Sequence, residues 1–283
     1  MKITLANHYG MCFGVRDALG LTERAAAEGA VTVLGDLVHN GVVQEQLAAL
    51  GVQRGKLEEV GQSGTERVII TAHGAAEGQR RAWREAGFAV TDTTCPLVRK
   101  AHRALAQLVA QGVQAVVIGQ AGHAEVRGLC GDFPGTRVVE GAEDVAALEF
   151  APRFGVVAQT TQPLGKVLEL VECLRARHPG AEVVFKDTVC QPTKDRQEAM
   201  AGLVREQQLV VVVGGRYSNN TRQLSETARR AGVAVRQVET AEELQAEWFA
   251  GIERVGVTAG TSTLEETVQA VVARLEGFGA AGF

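Results

Sequence analysis

The chain has 283 residues, 46% of them hydrophobic, which is enough apolar content for one large domain or two to three smaller domains with real cores. Its 29 Lys and Arg face 33 Asp and Glu, for a net charge of −4, and the basic residues are scattered rather than gathered in a stripe. That pattern excludes a nucleic-acid or membrane-surface footprint.

The start, Met1 to His8, turns polar too soon for a signal peptide, and no apolar run reaches the length of a membrane span, so a cytoplasmic protein is expected. Five widely spread cysteines in such a chain read as thiols, metal ligands or a nucleophile rather than as disulfides.

In chain order, short β-rich runs end in a Gly or polar cluster and pass into an amphipathic helix, the βα unit of a parallel sheet. Lys2 to Leu5 leads to Cys12, and Val31 to Gly35 precedes a helix from Val42 to Leu50. Val68 to Gly74 ends in polar residues, and Ala89 to Thr94 leads to Cys95. Val116 to Gly119 precedes Val126, Val156 to Thr161 ends in polar residues, and Val183 to Val189 leads to Cys190. Val210 to Gly215 precedes a helix from Thr221 to Ala231, and Val255 to Ser262 closes the series. Gly29, Gly51, Gly87, Gly112 and Gly232 stand where helices end.

These nine units sort into three sets of cysteine unit, glycine unit and polar unit. The chain therefore reads as a threefold α/β repeat of roughly 80 to 95 residues, able to pack around a pseudo-threefold axis. The expected domains, each with a mainly parallel sheet, are residues 13–95, 96–189, and 190–283 joined by 1–12. Ligands gather beyond the C-terminal strand ends of such sheets, and the cysteines and polar turns all fall there.

Each of Cys12, Cys95 and Cys190 opens a helix in its own third. Thiolates select zinc or iron-sulfur clusters. A structural zinc site uses four ligands and short Cys-x-x-Cys pairs, and neither is present. A [4Fe-4S] cluster held by three cysteines instead leaves one iron open to substrate. Cys130 and Cys173 lack the repeated placement and read as packing residues.

The remaining turns carry His39, His73, His123, Ser218, Asn219, Asn220 and Ser262, donors beside helix N-termini that suit a phosphate or diphosphate. Any one of these alone would serve as a helix cap; six turns carrying them make a site. Glu125 is the candidate general acid, with Thr160 to relay a proton or orient a hydroxyl and His123 beside it. His102 reads as a satisfied core histidine, His178 as solvent-facing, and His8 lies near Cys12.

The residues resemble the 4-hydroxy-3-methylbut-2-enyl diphosphate reductase family over essentially the whole chain. The carriers include Gly10-Met11-Cys12-Phe13-Gly14-Val15, Val38-His39-Asn40, Ala72-His73-Gly74, Asp92-Thr93-Thr94-Cys95-Pro96, Gly122-His123-Ala124-Glu125, Gln159-Thr160-Thr161, Cys190, Arg196-Gln197-Glu198-Ala199 and Gly256-Val257-Thr258-Ala259-Gly260. The resemblance implies a trefoil of three α/β domains around one [4Fe-4S] cluster on Cys12, Cys95 and Cys190. It also implies a diphosphate pocket at His39, His73, His123, Ser218, Asn219, Asn220 and Ser262, with Glu125 delivering protons and Thr160 contacting the hydroxyl.

The implied reaction removes the C4 hydroxyl as water from an allylic diphosphate, the hydroxyl binding the open iron, with electrons from ferredoxin or flavodoxin. Asn219, the run Thr261-Ser262-Thr263-Leu264 and Phe13 depart from the usual pattern and bear on substrate detail. Two other readings stay open here: a paralogue using the same cluster on another allylic or phosphorylated substrate, and a non-enzymatic redox sensor that needs the cysteines but not Glu125.

Overall fold

The computed structural model describes residues 1–280. Its elements in chain order are β1 (Lys2–Leu5), α1 (Phe13–Ala27), β2 (Thr32–Leu34), α2 (Gly41–Ala49), β3 (Gln53–Gly55), β4 (Arg67–Ile70), α3 (Glu77–Glu85), β5 (Ala89–Asp92) and α4 (Pro96–Val109). There follow β6 (Gln114–Ile118), α5 (Ala124–Gly131), β7 (Arg137–Val139), α6 (Ala142–Ala146), β8 (Arg153–Ala158), α7 (Leu164–Arg177) and β9 (Glu182–Phe185). The last part is α8 (Gln191–Glu206), β10 (Leu209–Val213), α9 (Asn219–Arg230), β11 (Ala234–Val238), β12 (Arg254–Ala259) and α10 (Glu265–Ala280).

The strands form three parallel four-stranded sheets with the orders β3-β2-β4-β5, β7-β6-β8-β9 and β11-β10-β12-β1. All three share one pattern. In each, the glycine-unit strand is flanked by the next strand in the chain on one side and the polar-unit strand on the other, with the cysteine-bearing strand at the edge. The last sheet is completed by the N-terminal strand β1, whose Lys2 and Leu5 sit opposite Arg254 and Val257.

The sequence reading found nine strand-helix units; the structure adds one further strand to each sheet, β3, β7 and β11. The reason is burial. Central β10 is buried at every residue and reads as an unbroken apolar run, as a strand covered on both faces should. The added strands lie at edges; Gln53–Gly55 is largely exposed and Arg137–Val139 is only three residues long, so neither carries such a run. The five glycines expected to end helices all have positive φ.

Contacts divide the chain into two compact units. The first gathers Met1–Arg16, Val38–Gln46 and the chain from Gln191 onward; the second gathers Asp17–Leu37 and Leu47–Cys190. In the first unit alternate residues of β10 feed opposite faces of the sheet. Val211 and Val213 pack with Val268, Val271 and Leu275 of α10, while Val210 and Val212 pack with Met200, Leu203, Leu224 and Ala228 of α8 and α9.

The second unit repeats this around β6 and β8. Val116, Ile118 and Val156 meet α7, and Val117 and Val157 meet α4 and α5. Trp83 of α3 is fully buried beneath β4, with its indole N–H donated to the Leu57 carbonyl at 2.9 Å. Each such large apolar side chain contributes about 1.5–3 kcal/mol on burial.

Within this unit α5 lies close against residues 75 and 76: a Cβ on Gly131 would come within 2.7 Å of the Ala76 Cβ. Asp132, just past α5, accepts the amide N–H of Glu77 at 2.6 Å and of Gly78 at 3.0 Å, satisfying two of the free donors at the start of α3. Ala76 has no side chain that could do so. Asp132→Ala should therefore cost about 1–2 kcal/mol, read as a lower urea midpoint with unchanged m.

No helix among the described residues is long and apolar enough to cross a membrane.

Candidate active site

The three cysteines are set by one repeated hydrogen bond. The Cys12 amide donates to the Thr261 carbonyl at 2.9 Å, that of Cys95 to Ala72 at 3.1 Å, and that of Cys190 to Thr160 at 2.9 Å. Each acceptor is the second residue past the end of the polar-unit strand, β12, β4 or β8. Each cysteine immediately precedes a helix, α1, α4 or α8, and each is partly exposed and free of a disulfide. Three such thiols at equivalent turns, each with its backbone held, are a donor set that fits an iron-sulfur cluster.

The turn before Cys95 is braced by Asp92. Asp92 accepts the Thr94 amide at 3.0 Å and the Thr94 hydroxyl, and it pairs at 3.1 Å with both Arg80 and Arg99. Burial pushes the Asp92 carboxyl up, but the Thr94 bonds and the two guanidinium groups together hold it below its ordinary range. Gly74 makes room for this turn: its φ is +78°, and a Cβ there would come within 2.9 Å of the Thr94 methyl. His73 thus sits between Ala72, which accepts the Cys95 amide, and Gly74, which packs on Thr94.

In the same unit the His123 ring stands edge-on to that of His73, with centroids 5.2 Å apart. His123 caps α5, its Nδ1 accepting the Glu125 amide at 3.1 Å. A neutral His123 therefore carries its proton on Nε2, which makes that nitrogen a donor. Glu125 is 1% exposed. One carboxylate oxygen accepts the Thr160 amide at 2.6 Å and the other pairs with the Thr160 hydroxyl at 2.9 Å. Burial pushes its pKa from 4.5 up to about 7, against the lowering effect of the two Thr160 bonds.

The first unit holds the other predicted residues. His39 lies two residues before α2, and its carbonyl crosses so close to Gly215 that a Cβ there would be 2.2 Å away. Only glycine allows that approach. Asn40 donates its side-chain amide to the Ser262 carbonyl at 2.8 Å, tying the His39 turn to the Ser262 turn. Ser218 caps α9, and the Asn219 side-chain oxygen accepts from Gln223 at 3.4 Å. Asn220 accepts the Thr261 amide at 3.1 Å.

The repeat reaches these side chains too. His39, His123 and Ser218 are each fifth past the end of a glycine-unit strand, and Glu125 and Asn220 are each seventh. The Asn220–Thr261 bond is therefore the neutral copy of the Glu125–Thr160 bond. Asn220 Nδ2 and Ser262 Oγ are buried without a hydrogen-bond partner among the described residues. Unpaired buried donors are costly, and phosphate oxygens are acceptors that would satisfy them.

The structure thus gathers Cys95, Cys190, His73, His123, Glu125 and Thr160 in one unit, and Cys12, His39, Ser218, Asn219, Asn220 and Ser262 in the other. Three lesser expectations are corrected. His178 is buried, 4% exposed, at the C-cap of α7, its ring 5.0 Å from that of Phe154 on β8. Cys173 is exposed, since it falls on the outer face of α7 opposite Val167, Leu170 and Val171. His102 is not satisfied: its Nε2 lacks a partner among the described residues, and burial, then the nearby Arg80, pulls its pKa down to about 4.

Cys130 does pack into the core, where burial raises its thiol pKa to about 11. His8 is exposed. Sequence reasoning gave no role to Asn40, Arg80, Asp92 or Arg196, although Val38-His39-Asn40, Asp92-Thr93-Thr94-Cys95 and Arg196-Gln197-Glu198-Ala199 contain three of them.

Residues 3–276 match the family described as LytB protein. The chain belongs to the LytB family. Its LytB relatives include the 4-hydroxy-3-methylbut-2-enyl diphosphate reductase of Ralstonia nicotianae, 38% identical over 99% of this chain and 87% of the relative. That of Geobacter sulfurreducens is 37% identical over 98% of both chains.

Two solved LytB-type folds agree. The E-1-hydroxy-2-methyl-but-2-enyl-4-diphosphate reductase of Plasmodium falciparum superposes with a TM-score of 0.89 at 26% identity, covering 96% of this chain and 86% of that one. A second structure, described as the terminal enzyme of the non-mevalonate pathway, superposes with a TM-score of 0.69 at 36% identity, covering 98% of this chain and all of the other.

Proposed function

We propose that this chain reduces 4-hydroxy-3-methylbut-2-enyl diphosphate to isopentenyl and dimethylallyl diphosphates. The observation that carries the reading is the buried Glu125–Thr160 pair, whose Thr160 carbonyl also accepts the Cys190 amide. The names of the relatives, matched over nearly the full chain, support this reading over a paralogue or a sensor.

The reaction breaks the C4–O bond, adds two electrons and two protons, and releases water. Cys12, Cys95 and Cys190 would hold one [4Fe-4S] cluster. When bound, that group supplies the electrons and one iron without a protein ligand. A ferredoxin or flavodoxin would reduce it.

The remaining work falls to this chain's side chains. The diphosphate rests on His39, His73, His123, Ser218, Asn219, Asn220 and Ser262, imidazole, hydroxyl and amide donors beside helix N-termini in place of a Lys or Arg cluster. Glu125, its pKa raised to about 7, keeps its proton below that pH, where an ordinary carboxyl has already lost it. As the protonated acid it donates to the Thr160 hydroxyl, whose own proton is then free to pass to the departing oxygen. The Thr160 amide keeps the carboxyl oriented throughout.

The same reading treats residues 13–95, 96–189, and 190–283 with 1–12 as three related domains around the cluster. Its support is one sheet of common strand order in each stretch.

The test is anaerobic purification and turnover of the allylic diphosphate with a strong one-electron donor. Both C5 diphosphates should appear, and cluster-replete protein that yields neither removes the proposal.

A further inference from the structure

Arg196 is a buried cation on α8, 6% exposed, six residues after Cys190. A buried guanidinium must have its donors met. One terminal nitrogen donates to the Pro192 carbonyl at 2.8 Å, in the first turn of α8. The other donates to the Tyr9 carbonyl at 3.2 Å and to the Gly10 carbonyl, in the loop that leads to Cys12. The planar fork of arginine suits such simultaneous contacts, and lysine cannot reproduce them.

This loop is tied down on every side. The Gly10 amide donates to Ala259 at 3.2 Å, the Cys12 amide to Thr261 at 2.9 Å, and the Tyr9 hydroxyl to Glu265 at 2.9 Å. Gly10 has a φ of +68°, a conformation open to glycine and disfavoured for other residues. Because the peptide group is planar, fixing the Tyr9 and Gly10 carbonyls fixes the direction of the Gly10 and Met11 amides as well.

We infer that Arg196 is a positioning residue: it sets the Cys12 turn in its ligating geometry and ties that turn to the start of the helix that follows Cys190. The inference rests on the cluster reading above for its consequence, though not for its geometry. It gives the Arg196-Gln197-Glu198-Ala199 motif a role. One side chain braces backbone next to two of the three ligands, so its loss loosens ligation without removing a thiol.

The test compares wild type with Arg196→Met, Arg196→Lys and the control Arg205→Met, which lies exposed on the same helix. Amide hydrogen exchange at Gly10 and Cys12 should rise about tenfold or more in Arg196→Met, with a smaller rise in Arg196→Lys and none in the control. Iron release to a chelator should accelerate in the same order, and the electron paramagnetic resonance signal of the reduced cluster should broaden or change shape at unchanged iron content.

If Arg196→Met does not fold, Arg196→Lys carries the comparison. Unchanged exchange at Gly10 and Cys12 in the folded variant overturns the inference. A wild type that takes up no iron while exchange still rises in the variant instead sinks the cluster reading and leaves the clamp standing.

Discussion

Glu125→Gln should keep its fold and iron while turnover falls by about two to four orders of magnitude, the usual worth of a general acid. Retention of the fold follows from the hydrogen bonds. A glutamine carbonyl can still accept the Thr160 amide and its NH₂ can meet the Thr160 hydroxyl. Asn220 already makes the equivalent bond to Thr261 with a neutral amide. What the variant lacks is a proton to give. Unchanged turnover in cluster-replete protein would end the acid role of Glu125.

The pH dependence follows from the raised pKa of about 7. Wild-type turnover should fall as pH rises through that value, because the acid form is lost, and the variant should lack this limb. Stability carries the same sign. Between the ordinary carboxyl value of 4.5 and about 7 the folded state keeps a proton that the unfolded chain has released. Stability therefore falls as pH rises across that window and levels off above it, by about 3 kcal/mol in all for a shift of this size. In Glu125→Gln that slope should flatten, which urea titrations at several pH values would show.

The second large effect concerns the thiols. Wild-type protein reconstituted anaerobically should carry about four irons per chain. Each of Cys12→Ser, Cys95→Ser and Cys190→Ser should lose most of that iron and essentially all turnover. Cys130→Ser and Cys173→Ser should retain both, since Cys130 is a core residue with a raised thiol pKa and Cys173 faces solvent. The comparison is demanding because none of the five is in a disulfide. Loss of iron in Cys130→Ser equal to that in Cys95→Ser would contradict the assignment.

Much of this was legible in the sequence for a local reason. A cysteine one residue before a helix, a glycine two or three past its end and an unbroken run such as Leu209–Val213 are short-range patterns, and their threefold recurrence identified the equivalent turns. Three of the six edge strands, β3, β7 and β11, escaped because a short or exposed strand lacks the apolar run that betrays it, as at Gln53–Gly55, whereas the edge strands that lead to the cysteines were read. His178 escaped because its partner, Phe154, is distant in sequence and comes near only when β8 and α7 are packed.

The sequence by itself therefore determined the fold class, the repeat, the ligand cysteines as candidates and Glu125 as the candidate acid. Tertiary structure alone decided that Glu125 is bonded to Thr160 with its charge stripped of water, that Asn220 is its neutral copy, and that Arg196 reaches the Tyr9–Gly10 carbonyls. Those contacts join residues far apart in the chain, so they depend on parallel register and helix packing, which residue type and spacing do not encode.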